Sequence, residues 1–304
     1  MIKKIPLPVT GVALGLAALG NLLQSYSENL RLICGILSFL ILLLFVIKIL
    51  IYREELGKDM QNPVMASVAA TVPMTVMLLS TYINKFAAGT AKGVWYAGII
   101  LHIVMIVFFT RRFVLKLKPE NVYPSYFIVY VGIVVASVTS PQFGETGLGR
   151  MIWYAGMILW TAALAMVIYR YVKVKEIKDP VRPLFCIFAA PAGLCLAGYL
   201  QAFPEKNMMI LYLLMAVALV FYVITIVKVP GYIMKGFYPS FAAFTFPFVI
   251  QAIGLKQANA FLISTGKVST LLVSIVNVET VIACVLVIYT AYCFGRHIFK
   301  KSQN

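Results

Sequence analysis

The chain has 304 residues, of which 62% are apolar and only 12% are charged, and its mean hydropathy is +0.94. Soluble domains contain about 45–50% apolar and about 25% charged residues, so this composition excludes a soluble protein. The formal net charge of +16 would suggest nucleic acid in a soluble protein, but in a membrane protein it is explained by loop charges. We therefore expect no nucleic-acid partner.

Ten apolar stretches are each long enough to cross a hydrocarbon core of about 30 Å, which takes about 20 helical residues. The predicted spans are 5–24, 29–52, 63–84, 92–113, 122–141, 147–170, 182–203, 207–228, 236–255 and 266–295. An even number of crossings places both ends of the chain on the same side of the bilayer.

Basic residues identify that side, because Lys and Arg are retained in cytoplasmic loops. Seven lie in or beside the loops on one side: Arg31, Lys85, Lys92, Arg150, Lys206, Lys256 and Lys267. The other 19 of the 26 basic residues belong to the opposite side, among them Lys175, Lys300 and Lys301. Both termini are therefore predicted to be cytoplasmic.

Five prolines recur at nearly equal intervals, and each lies at the start of an odd-numbered span: Pro6, Pro63, Pro124, Pro183 and Pro239. A regular period with one strong breaker per unit is typical of stacked supersecondary units. We predict a single transmembrane domain of all-α class, with ten helices forming five helical hairpins. The repeats run over about 1–58, 59–118, 119–178, 179–234 and 235–304.

A second breaker follows within each odd span at a matched position: Gly15, Pro73, Gly132, Pro191 and Pro247. An interior proline removes a helical hydrogen bond and bends the helix, and the freed carbonyl must be met by protein or by water in a cavity. We therefore predict a symmetric inner ring of bent odd helices that lines a central pore, with straighter even helices outside it.

Enzyme motifs are missing from the sequence. Its five cysteines and two histidines lie at no metal-binding or redox spacing, and no hydrolase, phosphate-loop or metalloprotease motif occurs. We expect no enzymatic activity, no cofactor and no metal site.

Glu279 is the one acidic residue at clear membrane depth, in the middle of the tenth span. A buried ionisable group in lipid is costly and indicates function by default. Two interpretations stay open, a proton-linked or gating role, with His102 of the fourth span as partner, and a hydrogen-bonded structural role.

Four segments resemble the tellurite-resistance/dicarboxylate transporter family, and the resemblance spans the chain. They are Pro6–Gly11 with Leu14–Leu19, Asn62–Thr75, Ala190–Pro191 and Phe244–Pro247. The family includes bacterial tellurite-resistance channel homologues, fungal malate permeases and plant slow-type anion channels. The resemblance implies a homotrimer in which each subunit has its own pore, formed by five odd helices around a quasi-fivefold axis. It also implies a gate formed by a phenylalanine of the ninth helix, which is Phe246 here.

Between their ends, the odd spans contain no Lys, Arg, Asp, Glu or His. A narrow apolar constriction blocks ions by dewetting, and ions in an uncharged pore sort by the cost of dehydration. We therefore predict a channel for small monovalent anions such as nitrate and chloride in a bacterial cell membrane.

Two other functions stay open. One is a proton-coupled dicarboxylate or tellurite/toxic-compound transporter, which would depend on Glu279. The other is a membrane scaffold, for which longer polar loops would be expected. The partners expected are small inorganic or carboxylate anions, the lipid bilayer and two further copies of the chain.

Overall fold

The computed structural model describes residues 2–174 and 176–299, and the regular secondary structure of these residues is helical. Nine of their helical segments are long and apolar enough to cross a membrane, and one further apolar helix is shorter. We number them in chain order as α1 Val9–Leu23, α2 Glu28–Ile51, α3 Pro63–Ile83, α4 Ala88–Val114, α5 Tyr126–Phe143, α6 Thr146–Lys173, α7 Asp179–Ala202, α8 Met208–Ile233, α9 Pro239–Ser264 and α10 Thr270–Phe299. Lys175, Lys300 and Lys301, which contribute to the predicted cytoplasmic charge, lie outside the described residues.

The helices follow the predicted spans, with two notable differences at their ends. Helix α1 begins at Val9 rather than at residue 5, because Pro6 and Pro8 precede it and Pro8 occupies its N-cap. Helix α9 continues to Ser264 rather than ending at 255. The prediction stopped where the apolar stretch ends, but the polar residues beyond it are still helical.

Polar side chains set the starts of three segments. Asn62 Oδ1 accepts hydrogen bonds from the backbone N–H groups of Val64 and Met65 at the start of α3. Ser27 and Asn207 cap α2 and α8 in the same way. Such caps satisfy backbone donors that have no partner in the first helical turn.

The odd-numbered segments form the core of the molecule. Contacts join α1 to α3, α3 to α5, α5 to α7, α7 to α9 and α9 back to α1. In the most apolar windows of α3, α5, α7 and α9, 67–94% of the residues are buried, against 28–39% in the even segments. The even segments pack outside and expose apolar side chains such as Ile36 and Leu40 of α2. That outer surface suits lipid.

Four of the five odd segments are interrupted along their length. The breaks lie at Ala70 in α3, at the 3₁₀ turn Gly132–Val134 in α5, after the 3₁₀ stretch Asp179–Ala189 in α7 and at Thr245 in α9. Pro73, Pro191 and Pro247 each lie in the first turn of the α-helix that follows the break. Proline is tolerated there because its missing N–H has no partner in a first turn.

Candidate functional site: two cavities separated by Phe246

A first cavity of about 160 Å³ lies among the N-terminal halves of the odd segments. All five segments contribute to its wall, through residues that include Gly11, Val68, Phe127, Leu184 and Ala243. The wall is mainly apolar, and none of its described side chains is charged. An ion in this cavity would therefore meet no fixed counter-charge.

A second cavity of about 190 Å³ lies among the C-terminal halves of the same segments. Its wall combines apolar side chains, among them Leu78, Val135 and Ile253, with several carboxamides. The two cavities thus differ in character, the first being apolar and the second half polar.

Phe246 and Leu194 line both cavities, so these two side chains form part of the partition between them. Phe246 is only 6% exposed and is the first residue of the α-helical part of α9. The Thr245 hydroxyl before it lies 2.7 Å from the carbonyl of Ala242 and 2.9 Å from the carbonyl of Gly11 in α1. It can donate to either oxygen, which holds this turn against α1.

The predicted breakers occupy different places around the partition. Gly132, Pro191 and Pro247 line the first cavity together with Phe246. A Cβ on Gly15 would lie 2.5 Å from the Cβ of Thr245, so this glycine allows α1 to approach α9 next to Phe246. The carbonyl of Pro73 faces Gly98 of α4.

His102 is fully buried between α4 and α5. Its Nε2 lies 2.9 Å from the carbonyl oxygen of Val129, and since a carbonyl only accepts, Nε2 carries the proton. Val129 lies in the last turn before the 3₁₀ break at Gly132, where carbonyls lose their α-helical partners. The imidazole therefore satisfies a carbonyl at the interruption of α5.

We expect His102→Leu to destabilise the protein by about 1–3 kcal/mol, because it leaves the buried Val129 carbonyl without a donor. His102→Gln should retain most of the stability, since its amide N–H can replace Nε2–H. Thermal unfolding of both variants in the same detergent would measure this difference. Equal losses in the two variants would show that the hydrogen bond is not the stabilising feature.

Glu279 is 1% exposed, and neither of its carboxyl oxygens has a hydrogen-bond partner. Its polar neighbours include Gln251 of α9 and Tyr222 of α8. Glu279 and His102 pack against different helices, so the structure does not bring the two predicted partners together.

Sequence reasoning overlooked Leu194 and the carboxamides of the second cavity, which are Asn21, Gln24, Gln142, Gln201 and Gln257. A signal was present in the repeats. Each of the four glutamines stands eighteen residues after a repeat proline, namely Pro6, Pro124, Pro183 or Pro239. Alignment of the repeats would have predicted a common position for them.

Charged side chains lie near the outer end of each cavity. Lys48 is buried near the first cavity, where its Nζ donates to the carbonyl of Ile5 and lies 3.3 Å from Glu55. Close by, burial raises the pKa of the Asp59 carboxyl, and the charge of Lys48 partly offsets this effect. Near the second cavity, Lys256 Nζ donates to the carbonyl of Leu22.

Five odd segments, four of them interrupted, surround two cavities whose described walls carry no charged side chain. This arrangement defines a multi-span helical membrane protein. The profile of the SLAC1 family, described as voltage-dependent anion channel, matches residues 4–298. The chain therefore belongs to this family of anion channels and transporters. This confirms the resemblance inferred from the sequence.

Three curated relatives share between 24% and 28% identity with this chain. The Tellurite resistance protein TehA homolog of Haemophilus influenzae is 28% identical over 219 residues, which cover 66% of this chain and 65% of the relative. Two uncharacterized transporters of Methanocaldococcus jannaschii are 25% and 24% identical, each over 52% of this chain and 50% of the relative. The matched part of the chain thus spans less than two thirds of the length of each relative.

Proposed function

We propose that this protein is a channel that conducts small monovalent anions, such as nitrate and chloride, through the two central cavities. The observation that carries the proposal is the position of Phe246, which forms part of the wall of both cavities. An apolar side chain at such a constriction excludes water and so blocks ions until it moves. Phe246 is therefore the proposed gate, and Gly132, Pro191 and Pro247 line the path beside it.

The proposed membrane arrangement follows from the repeats and the charges. Ten crossings form five hairpins in a quasi-fivefold arrangement, and the odd helices line the pore. Both termini face the cytoplasm of a bacterial cell, because most basic residues lie on that side. The assembly is a homotrimer in which each subunit has its own pore, as the family resemblance implies.

Anion selectivity is expected to follow dehydration, because neither cavity has a fixed charge in its described wall. Nitrate or iodide, which hold water weakly, should cross more readily than chloride. Reversal potentials of the purified protein in planar bilayers, with potassium nitrate on one side and potassium chloride at a different concentration on the other, would test the proposal. A reversal potential that follows the cation gradient would contradict it.

A second candidate is a proton-coupled carrier for dicarboxylates, tellurite or other toxic compounds. The observation that favours it is Glu279, whose two carboxyl oxygens are buried without partners beside Gln251 of the inner ring. A carboxyl group in that setting can hold or release a proton during transport. The name of the Haemophilus relative also refers to tellurite resistance.

The substitution Glu279→Gln separates the two candidates, because it keeps the shape of the side chain and removes its proton chemistry. In a channel we expect the anion current to change less than about twofold, while in a carrier proton-driven uptake should stop. The matched control is Glu54→Gln at an exposed position of the short helix Arg53–Asp59. Uptake of labelled dicarboxylate or tellurite into proteoliposomes under a pH gradient, measured beside anion current, gives the answer.

A further inference from the structure

Side-chain amides form much of the polar part of the wall of the second cavity. Its wall includes Asn21 of α1, Gln24 at the C-cap of α1, Gln142 of α5, Gln201 of α7 and Gln257 of α9. We call these five side chains the carboxamide ring. Phe246 belongs to the wall of the same cavity, so an ion that passes the gate also meets the ring.

The ring follows the internal repeat of the chain. Gln24, Gln142, Gln201 and Gln257 occupy the same position in four repeats, eighteen residues after the repeat proline. In the remaining repeat this position is Thr81, whose backbone carbonyl accepts a hydrogen bond from Arg31 Nη2. Amides at matched positions of four helices converge on one cavity because those helices are related by the repeat.

For two of the five amides, Asn21 and Gln257, the nitrogen is the end left for a ligand. Arg31 is 3% exposed, and its Nε donates to Asn21 Oδ1 at 3.1 Å, which occupies the oxygen and leaves the Asn21 Nδ2 group for the cavity. The Oε1 atom of Gln257 is buried and has no partner, so a ligand in the cavity does not reach it. Since Gln257 lines the cavity, Nε2 is the end of its amide left to meet a ligand. An amide nitrogen donates and does not accept, which suits an anion.

The charges beside the ring have the sign that an anion needs. Arg31 contacts Asn21, and Lys256 lies with Asn21, Gln24 and Gln257 around a neighbouring cavity. The nearby carboxylate, Glu28, is paired with Arg31 at 2.9 Å and with Lys85 at 2.8 Å. The excess of positive charge raises the local anion concentration.

We propose that the carboxamide ring is a binding site for a partly dehydrated small anion that accepts hydrogen bonds, such as nitrate or bromide. Hydrogen bonds to an ionised acceptor are about twice as strong as neutral ones, so the amide donors offset part of the lost hydration. The ring thereby lowers the barrier next to the apolar constriction at Phe246. The inference rests on the proposed channel function and adds an anion site to it.

The test uses the full-length chain with the Phe246→Ala substitution, so that the constriction does not limit the current. The double variant Gln201→Leu/Gln257→Leu removes two donors at nearly constant volume, and Gln61→Leu makes the same change at an exposed loop position. We expect the nitrate concentration that gives half-maximal current to rise about tenfold in the double variant and to stay unchanged in the control. Gln201→Glu, which replaces a donor by a negative acceptor, should lower the anion current about tenfold or more.

A second measurement does not depend on conduction. Crystals of the full-length chain grown in bromide should show an anomalous scattering peak within about 3.5 Å of the amide nitrogens. An unchanged half-saturation concentration in the double variant, with Phe246→Ala still conducting, would overturn the ring while leaving the channel function intact. A bromide peak at the ring in a protein that carries no current would support the site and refute the channel. The lack of any peak at the ring would count against the site.

Discussion

Replacing Phe246 by alanine is expected to give a large anion current where the native chain gives little or none. The substitution removes an aromatic side chain from the partition between cavities of about 160 and 190 Å³, and we expect water to connect them. A continuous water column removes the dewetting barrier, and each reduction of about 1.4 kcal/mol in a barrier raises the rate tenfold. We therefore expect an increase of about tenfold or more, measured as nitrate and chloride current in planar bilayers.

Phe248→Ala provides the matched control, because it removes the same atoms two residues further along α9. Phe248 is fully buried and packs edge-on against Tyr222 of α8, with 5.7 Å between the ring centroids. Its loss should cost about 3–5 kcal/mol of stability without opening the path. Equal currents in the two alanine variants would show that general loosening of α9 is responsible, and a silent Phe246→Ala would refute the gate.

The second large effect is expected at Gly193 of α7, where the backbone of α7 lies close to the backbone of α9. A Cβ on Gly193 would lie 2.6 Å from the Cα of Gln251, and one on Gly254 would lie 2.6 Å from the carbonyl oxygen of Gly193. Small residues allow helices in a membrane to pack with their backbones in contact. Gly193→Ala therefore forces two backbones apart and should cost about 1–3 kcal/mol, with a larger loss for valine.

Thermal unfolding in detergent measures this loss. Gly93→Ala of α4 is the matched control, because a Cβ there would have no heavy atom within 4 Å. Since alanine is favoured over glycine inside a helix, this control should be neutral or stabilising by up to about 1 kcal/mol. If Gly193→Ala were as stable as Gly93→Ala, the close approach of α7 and α9 would not be required for the fold.

The sequence by itself determined that the protein lies in a membrane, that it is helical and to which family it belongs. A chain with 62% apolar residues has to lie in lipid, where backbone hydrogen bonds must be satisfied within helices. The repeat prolines marked where the odd segments begin, and the family resemblance, carried in part by the motif around Pro247, implied a gate at Phe246. These features are local, and short stretches of chain are enough to reveal them.

Only the tertiary structure decided which side chains face the cavities. Helices that are apolar on all sides give no periodic signal for the face they turn inward. Pro73 and Pro247 both follow a repeat proline, by ten and by eight residues, and Pro247 lines the first cavity while the carbonyl of Pro73 faces α4. The carboxamide ring and the contact of Arg31 with Asn21 depend on helix rotation in the same way, because packing between segments distant in the chain sets that rotation.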